Sequence, residues 1–125
     1  MGVTALNRIE RFQDLEVWRT AHTLVLGIYR LTKNFPREEL YGLTSQIRRA
    51  AVSVAANIAE GFKKRGSKEK IRFYNTSQGS LAEVEYYLLV VRDLQYAKET
   101  YELDRLVEQT GKMLNGLIAS IEAKY

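Results

Sequence analysis

The 125-residue chain has no cysteine, which excludes disulfides, thiolate metal sites and cysteine nucleophiles. Its only histidine is His22, and its only proline is Pro36. Di-iron sites in four-helix proteins use a Glu-x-x-His motif on each of two helices, and a lone His22 preceded by Arg19 supplies neither. We therefore expect no metal site and no cofactor.

Long hydrophobic runs are also absent. No stretch approaches the roughly 20 apolar residues that cross a bilayer, and the first residues lack the apolar region of a secretory signal. Hydrophobic residues make up 46% and charged residues 27%, the balance of one ordinary globular domain. We expect a cytoplasmic protein without membrane contact, and the net charge of +4 favours anionic partners.

Four segments have apolar residues at steps of three and four, which is the spacing of amphipathic helices, and none alternates as a strand does. They cover residues 14–33, 37–62 and 67–97 and the chain after Thr100. Asp14 and Ser67 are the predicted N-caps.

Short connections between long amphipathic helices predict an all-α, up-down-up-down antiparallel four-helix bundle. We expect residues 14–125 to form this single domain and residues 1–13 to form an N-terminal arm.

The second segment is apolar on more than one side. Away from its main stripe lie four further apolar residues, Val52, Ala55, Ala59 and Phe62. A surface helix normally has one apolar stripe. Two interpretations remain open: the helix contacts two neighbours of its own bundle, or these residues form an oligomer interface.

The same segment carries a polar stripe, formed by Gln46, Arg49, Ser53, Asn57 and Glu60. It is either a hydrogen-bond network completed by Glu83 or Glu85, or the lining of a groove or of an oligomer's central channel. We favour the network, because a buried polar group without a partner costs about 1–3 kcal/mol.

The densest charge cluster lies between the second and third segments. It holds one acid, Glu69, and six cations, Lys63, Lys64, Arg65, Lys68, Lys70 and Arg72. Cations beside the aromatic residues Phe62, Phe73 and Tyr74 suit nucleic acid, because they meet phosphates while rings stack on bases. The alternative is a solvated turn. Arg48 and Arg49 extend the cluster only if they are exposed.

Catalysis finds no support in the sequence. The lone His22 falls in mid-helix, and no serine sits on a strained turn. Glu83 and Glu85, two residues apart, do not share a helix face. We expect a protein that is not an enzyme.

Three blocks resemble the 23S ribosomal RNA intervening-sequence protein family. The first is F-x-D-L-x-V-W at residues 12–18. The second, at residues 35–61, is F-P-x-x-E-x-Y-G-L-x-x-Q-I-R-R-A-A-V-S-V-A-A-N-I-A-E-G. The third is F-Y-x-x-S-x-G-S-L-x-E-V-E at residues 73–85.

This resemblance implies an up-down bundle assembled into a homopentameric ring. It also suggests kinship with accessory proteins of diversity-generating retroelements, which resemble basic pentamers that bind nucleic acid and a reverse transcriptase. Our leading hypothesis is a homo-oligomer that binds nucleic acid, RNA or DNA and in the first place structured RNA, through basic turns. The alternative is a protein–protein adaptor or accessory subunit, for example of a reverse transcriptase, whose charges maintain solubility.

Overall fold

The computed structural model describes residues 8–124, which form four α-helices and no strand. We number the helices in chain order: α1 (Glu16–Thr32), α2 (Leu43–Lys63), α3 (Ser67–Asp93) and α4 (Tyr101–Lys124). The prediction of an all-α chain with four helices is therefore confirmed. Across the described range, no helix combines the length and hydropathy that crossing a membrane requires.

The structure describes the predicted N-terminal arm, residues 1–13, from Arg8 onward. Residues 1–7 of that arm lie outside the described part of the chain, but Phe12–Asp14 form a short 3-10 helix. The Asp14 carboxylate accepts the backbone N–H groups of Glu10 and Arg11, at 3.0 and 3.2 Å. Asp14 therefore stabilises this turn, and the prediction that it caps α1 is wrong, because Leu15 occupies that N-cap position.

Three other helix ends differ from the predicted ones. A 3-10 turn at Arg37–Glu39 precedes α2, so the helix begins six residues later than predicted, at Leu43. Ser67 is the first residue of α3 instead of its N-cap, which is Gly66. At its other end α3 stops at Asp93, because Gln95 adopts a positive φ of 59° and turns the chain away.

The core lies between the four helices, and α2 packs against both α1 and α3. Its largest fully buried apolar residues come from all four helices: Leu24, Ile28, Ile47, Val54, Ile58, Val84, Leu88, Val91 and Leu114. Two buried hydroxyls have partners inside it, since Ser77 donates to the Val54 carbonyl and Thr110 to the Leu106 carbonyl, both at 2.7 Å. These two polar residues of the core therefore carry no penalty for a missing hydrogen bond.

Helices α2 and α3 lie in close contact at Gly61. A Cβ atom at this position would lie 2.6 Å from the buried Tyr74 ring and 3.1 Å from the Cβ atom of Phe73. A side chain at residue 61 would therefore push the two helices apart. Gly61 lies two residues before the end of α2, and the packing against α3 requires a glycine there.

We expect Gly61→Ala to lower the free energy of unfolding by about 1–2 kcal/mol, because overpacking outweighs the gain in helix propensity. Urea denaturation measures the change. The matched control is Gly116→Ala in α4, where an added Cβ would have no heavy atom within 4 Å. The control should gain up to about 1 kcal/mol, and an equal gain at Gly61 would contradict the packing argument.

The α1–α2 and α3–α4 connections lie side by side. Tyr96 donates its hydroxyl to Glu39 Oε2 at 2.8 Å, and its ring lies 5.5 Å from that of Phe35. The backbone N–H of Leu43, the first residue of α2, donates to Glu39 Oε1 at 3.1 Å. This backbone hydrogen bond, followed by the Tyr96 hydroxyl, lowers the pKa of Glu39 below its ordinary value of 4.5.

A lowered pKa in the folded state means that the Glu39 carboxylate stabilises the fold above its unfolded pKa and loses that effect as the pH falls. Glu39→Gln should therefore lower Tm at pH 7, and the difference from the unaltered protein should shrink below about pH 4. Thermal denaturation across pH checks this, with Glu38→Gln as the exposed control. A Tm difference that does not depend on pH would contradict the assignment.

Candidate nucleic-acid interface

The six predicted cations surround the α2–α3 connection, and we call residues 63–72 the basic turn. It comprises the last residue of α2, the connection at residues 64–66 and the first turns of α3. The structure does bring the six together, but their environments differ. Four of the six are exposed, while Lys64 and Lys70 are half-buried.

Lys70 binds the end of α2. Its Nζ donates to the carbonyl oxygens of Phe62 at 2.8 Å and Gly61 at 3.3 Å, both in the last turn of the helix. The Gly61 carbonyl also accepts the backbone N–H of Lys64 at 3.2 Å. Partial burial lowers the pKa of the Lys70 ammonium. Lys70 is thus a positioning residue of the turn.

The aromatic rings beside the turn are covered by its own cations. Lys64 Nζ lies 5.0 Å from the centre of the Phe73 ring, and the Arg72 guanidinium carbon lies 5.1 Å from it. Lys70 Nζ lies 5.5 Å from the centre of the Phe62 ring. Because Phe62 and Phe73 are half-buried and Tyr74 is only 2% exposed, these rings offer little surface for stacking on bases.

Three cations remain available to a ligand, namely Lys63, Arg65 and Lys68. All three are exposed, and within residues 8–124 no carboxylate oxygen lies within 4.0 Å of their side-chain nitrogens. Arg72 differs, because its Nε lies 2.9 Å from Glu69 Oε1. The turn therefore presents three positive charges that are both exposed and without a carboxylate partner, and such charges suit phosphates.

Arg48 and Arg49 do not extend the basic turn. Arg48 Nε donates to Thr32 Oγ1 at 2.7 Å, and its guanidinium carbon lies 4.6 Å from the centre of the Tyr29 ring. Arg49 is exposed, but it lies near the opposite end of α2, about 20 Å from Lys63 at the helical rise per residue.

The polar stripe is divided between the α2–α3 contact and solvent. Asn57 Nδ2 donates to the Ser53 carbonyl at 2.8 Å and to Ser53 Oγ at 3.0 Å, and the Ser53 and Ser80 hydroxyls are 2.7 Å apart. The other three stripe residues are exposed: Gln46, Arg49 and Glu60. Only Ser53 and Asn57 of the five stripe residues take part in this network, and their α3 partner is Ser80.

Glu83 and Glu85 do not complete this network, so that part of the prediction is wrong. Both are exposed, because α3 turns Ser80 toward α2 and these two residues toward other directions.

An apolar groove lies between the 3-10 helix, α1 and α2. Val52, Ala56 and Ala59 form the α2 wall, the half-buried Trp18 and His22 form the α1 wall, and Val25 and Ala55 form the floor. The groove volume is about 340 Å³. The Trp18 ring stacks on His22, with the ring centres 4.8 Å apart, and Phe12 meets Trp18 edge-on at 5.0 Å.

The four predicted interface residues thus have different environments. Val52 is 42% exposed and Ala59 is half-buried on the groove wall, whereas Ala55 is only 7% exposed at the floor. Phe62 lies outside the groove lining and pairs with Lys70.

Four packed helices with no strand in residues 8–124 place the chain among small all-α proteins of the helical-bundle class. Residues 13–116 match the family model described as 23S rRNA-intervening sequence protein, and the chain belongs to this family. The predicted family is thus confirmed. No curated protein matches the chain.

Replacing Lys70 tests its role at the end of α2. We expect Lys70→Met to lower the free energy of unfolding by about 1 kcal/mol, because two carbonyls would have no charged donor. Lys68→Met, which removes the same charge from an exposed neighbour, should change it by less than about 0.5 kcal/mol. Urea denaturation compares the variants, and equal effects would show that Lys70 acts only through its charge.

Proposed function

We propose that this protein is a non-enzymatic homo-oligomer that binds structured RNA in the cytoplasm through its basic turn. The observation that carries the proposal is the trio of exposed cations, Lys63, Arg65 and Lys68, which have no carboxylate partner in the described part of the chain. Cations that no internal acid neutralises attract a polyanion and release its counterions on binding.

The chemistry of the turn favours recognition of the RNA backbone over recognition of bases. Phe62 and Phe73 are half-buried beneath cations, so the contacts left to the ligand are between charged nitrogens and phosphates. Double-stranded RNA is recognised mainly by its shape and its phosphate and 2′-hydroxyl groups. A folded RNA that presents closely spaced phosphates therefore fits this turn better than an extended single strand.

Self-association strengthens the proposal. We take the helices to run up, down, up and down, an order supported by the adjacent α1–α2 and α3–α4 connections, which Tyr96 and Glu39 join. A ring of such bundles, a pentamer as the resemblance implies, repeats the basic turn in every subunit. Several weak phosphate contacts on one RNA then act together, because the later contacts are intramolecular.

We assign the protein no catalytic role. The single histidine, His22, stacks on Trp18 in a groove whose lining is otherwise apolar. It thus has neither a serine nor an acid among the groove residues to work with.

A second candidate function is that of a protein–protein adaptor, for example for a reverse transcriptase. The groove beside Trp18 favours it, since exposed apolar surface rimmed by polar residues marks interaction sites. In that case the basic turn serves solubility, and nucleic-acid affinity is weak and unaffected by changes in the turn.

Removing the three cations tests the function directly. We expect the triple variant Lys63→Ala, Arg65→Ala, Lys68→Ala to bind a structured RNA more weakly. The log–log salt slope of binding should fall in magnitude by up to about 0.9 for each phosphate that the variant no longer neutralises. Fluorescence anisotropy between about 50 and 200 mM salt measures both quantities.

The matched control removes the same charge from exposed residues near the start of α2 and the adjacent connections, by Lys33→Ala, Arg37→Ala and Lys98→Ala. It should retain most of the affinity and the slope. If both triple variants lose affinity equally, net charge alone explains binding. If neither loses affinity, the basic turn is not the RNA site and the adaptor function is favoured.

A further inference from the structure

The outward face of α3 carries a regularly spaced row of residues, a seam, that is not buried against the other helices of the bundle. Its residues repeat at steps of four and three and are all exposed: Asn75, Gly79, Ala82, Tyr86, Leu89 and Asp93. Tyr86 is 60% and Leu89 43% exposed. This spacing is the one by which helices pack against partner helices, and it lies on the side of α3 opposite the buried residues Val84, Leu88 and Val91.

A second seam with the same spacing runs along the outward face of α2. Its residues are Ser45, Arg49, Val52, Ala56, Ala59 and Lys63. Three of them, Val52, Ala56 and Ala59, form the α2 wall of the apolar groove, opposite Trp18 and His22 of α1. We call these two surfaces the α3 seam and the α2 groove.

The two surfaces complement each other in size and length. The α3 seam carries the large side chains Tyr86 and Leu89, and the α2 groove has the small residues Ala56 and Ala59 where such side chains would insert. Both extend over equal runs, residues 75–93 and 45–63, or about 27 Å of helix. A helix that lies along a groove between two others needs this match.

Their charges are also complementary. The exposed acids Glu83, Glu85 and Asp93 lie on or beside the α3 seam. In the α2 groove, the exposed cations Arg49 and Lys63 stand on either side of the apolar centre and outnumber the one exposed acid beside it, Glu60. When the two helices run antiparallel, Arg49 of the groove comes near the Asp93 end of the seam, which favours this pairing over that of two like seams. In that direction Lys63, a cation of the basic turn, lies at the far end of the contact from Asp93.

We propose that the α3 seam of one copy packs into the α2 groove of the next copy. The inference rests on the proposed self-association and names the surfaces that carry it. Because the two surfaces belong to different helices of one chain, the contact is head-to-tail. An open row of copies therefore leaves one free α3 seam at one end and one free α2 groove at the other until the assembly closes. A dimer in which both copies use the α3 seam, or both use the α2 groove, would be a different assembly from the one proposed.

The lack of cysteine makes this pairing directly testable. Single cysteines are placed in the α2 groove by Val52→Cys, Ala56→Cys or Ala59→Cys, and on the α3 seam by Gly79→Cys, Ala82→Cys or Tyr86→Cys. Groove and seam variants are mixed in all nine combinations, oxidised and separated on non-reducing gels. Because a disulfide needs Cα atoms about 4.4–6.8 Å apart, this set samples the possible registers along the helices.

We expect at least one groove-plus-seam mixture to form dimers in much higher yield than either variant alone. The double variant of that pair should form a ladder of larger species. Ala119→Cys, exposed on α4, is the control and should give only background dimers in every mixture. Dimers formed mainly by groove variants alone, by seam variants alone, or by no combination would overturn the proposed pairing.

Light scattering on the unaltered protein separates this inference from the proposed function. A measured mass of 14.4 kDa at micromolar concentration, which is that of a monomer, would contradict self-association itself. An oligomer without any groove-to-seam crosslink would contradict only the proposed pairing of these two surfaces and would leave self-association standing.

A charge placed on the seam supplies an independent measurement. Ala82→Arg should reduce the assembly to monomers, with the helical circular dichroism retained because residue 82 is exposed. Ala119→Arg, the same substitution at an exposed α4 position, should leave the assembly intact. An unchanged mass for Ala82→Arg would contradict the inference.

Discussion

The close approach of α2 and α3 is the constraint on which the rest of the structure depends. Gly61 lies against the Tyr74 ring, and Ser77 donates to the Val54 carbonyl across the contact. Small residues at such a contact bring two backbones together, and buried hydroxyls then find carbonyl partners instead of losing hydrogen bonds. The connection between the two helices is only residues 64–66, so the cations of residues 63–72 gather around one helix end.

This packing also decides which cations of the basic turn are available to a ligand. Lys70 stands in the first turn of α3, within reach of the last carbonyls of α2, so its charge is used inside the molecule. Lys63, Arg65 and Lys68 point away from the contact. The same arrangement leaves the outward faces of α2 and α3 without internal partners, although both carry apolar residues. One contact between two helices thus gives rise to both surfaces on which the proposals rest.

Much of the fold could be predicted because periodicity reflects burial. The apolar residues of α1, α2 and α4 recur at helical spacing, and the structure has helices there. The positions of the helix ends were harder to predict from the sequence. Gln95 ends α3 with a positive φ, a position that glycine usually occupies, so no residue type marked that end. Glu39 acts on α2 from a preceding turn, and its role depends on Tyr96, which is far away in sequence.

The candidate sites were predicted in part. The basic turn was visible because its charges are close together in the chain, but the separate role of Lys70 was not, since a lysine that binds carbonyls looks like any other in sequence. Ala55 and Ala59 looked equivalent on a helical wheel, yet α1 buries the first and leaves the second on the groove wall. The α3 seam was missed because Gly79 and Ala82 were ordinary small residues until the structure showed them exposed beside Tyr86.

By itself, the sequence determined the helical class, the absence of thiol chemistry, the family and the position of the positive charge, because composition, periodicity and local order are properties of the chain alone. Only the tertiary structure decided which charges are compensated, which small residues separate backbones and which apolar faces remain uncovered. These properties depend on distances between residues far apart in the chain, and such distances exist only once the helices have packed.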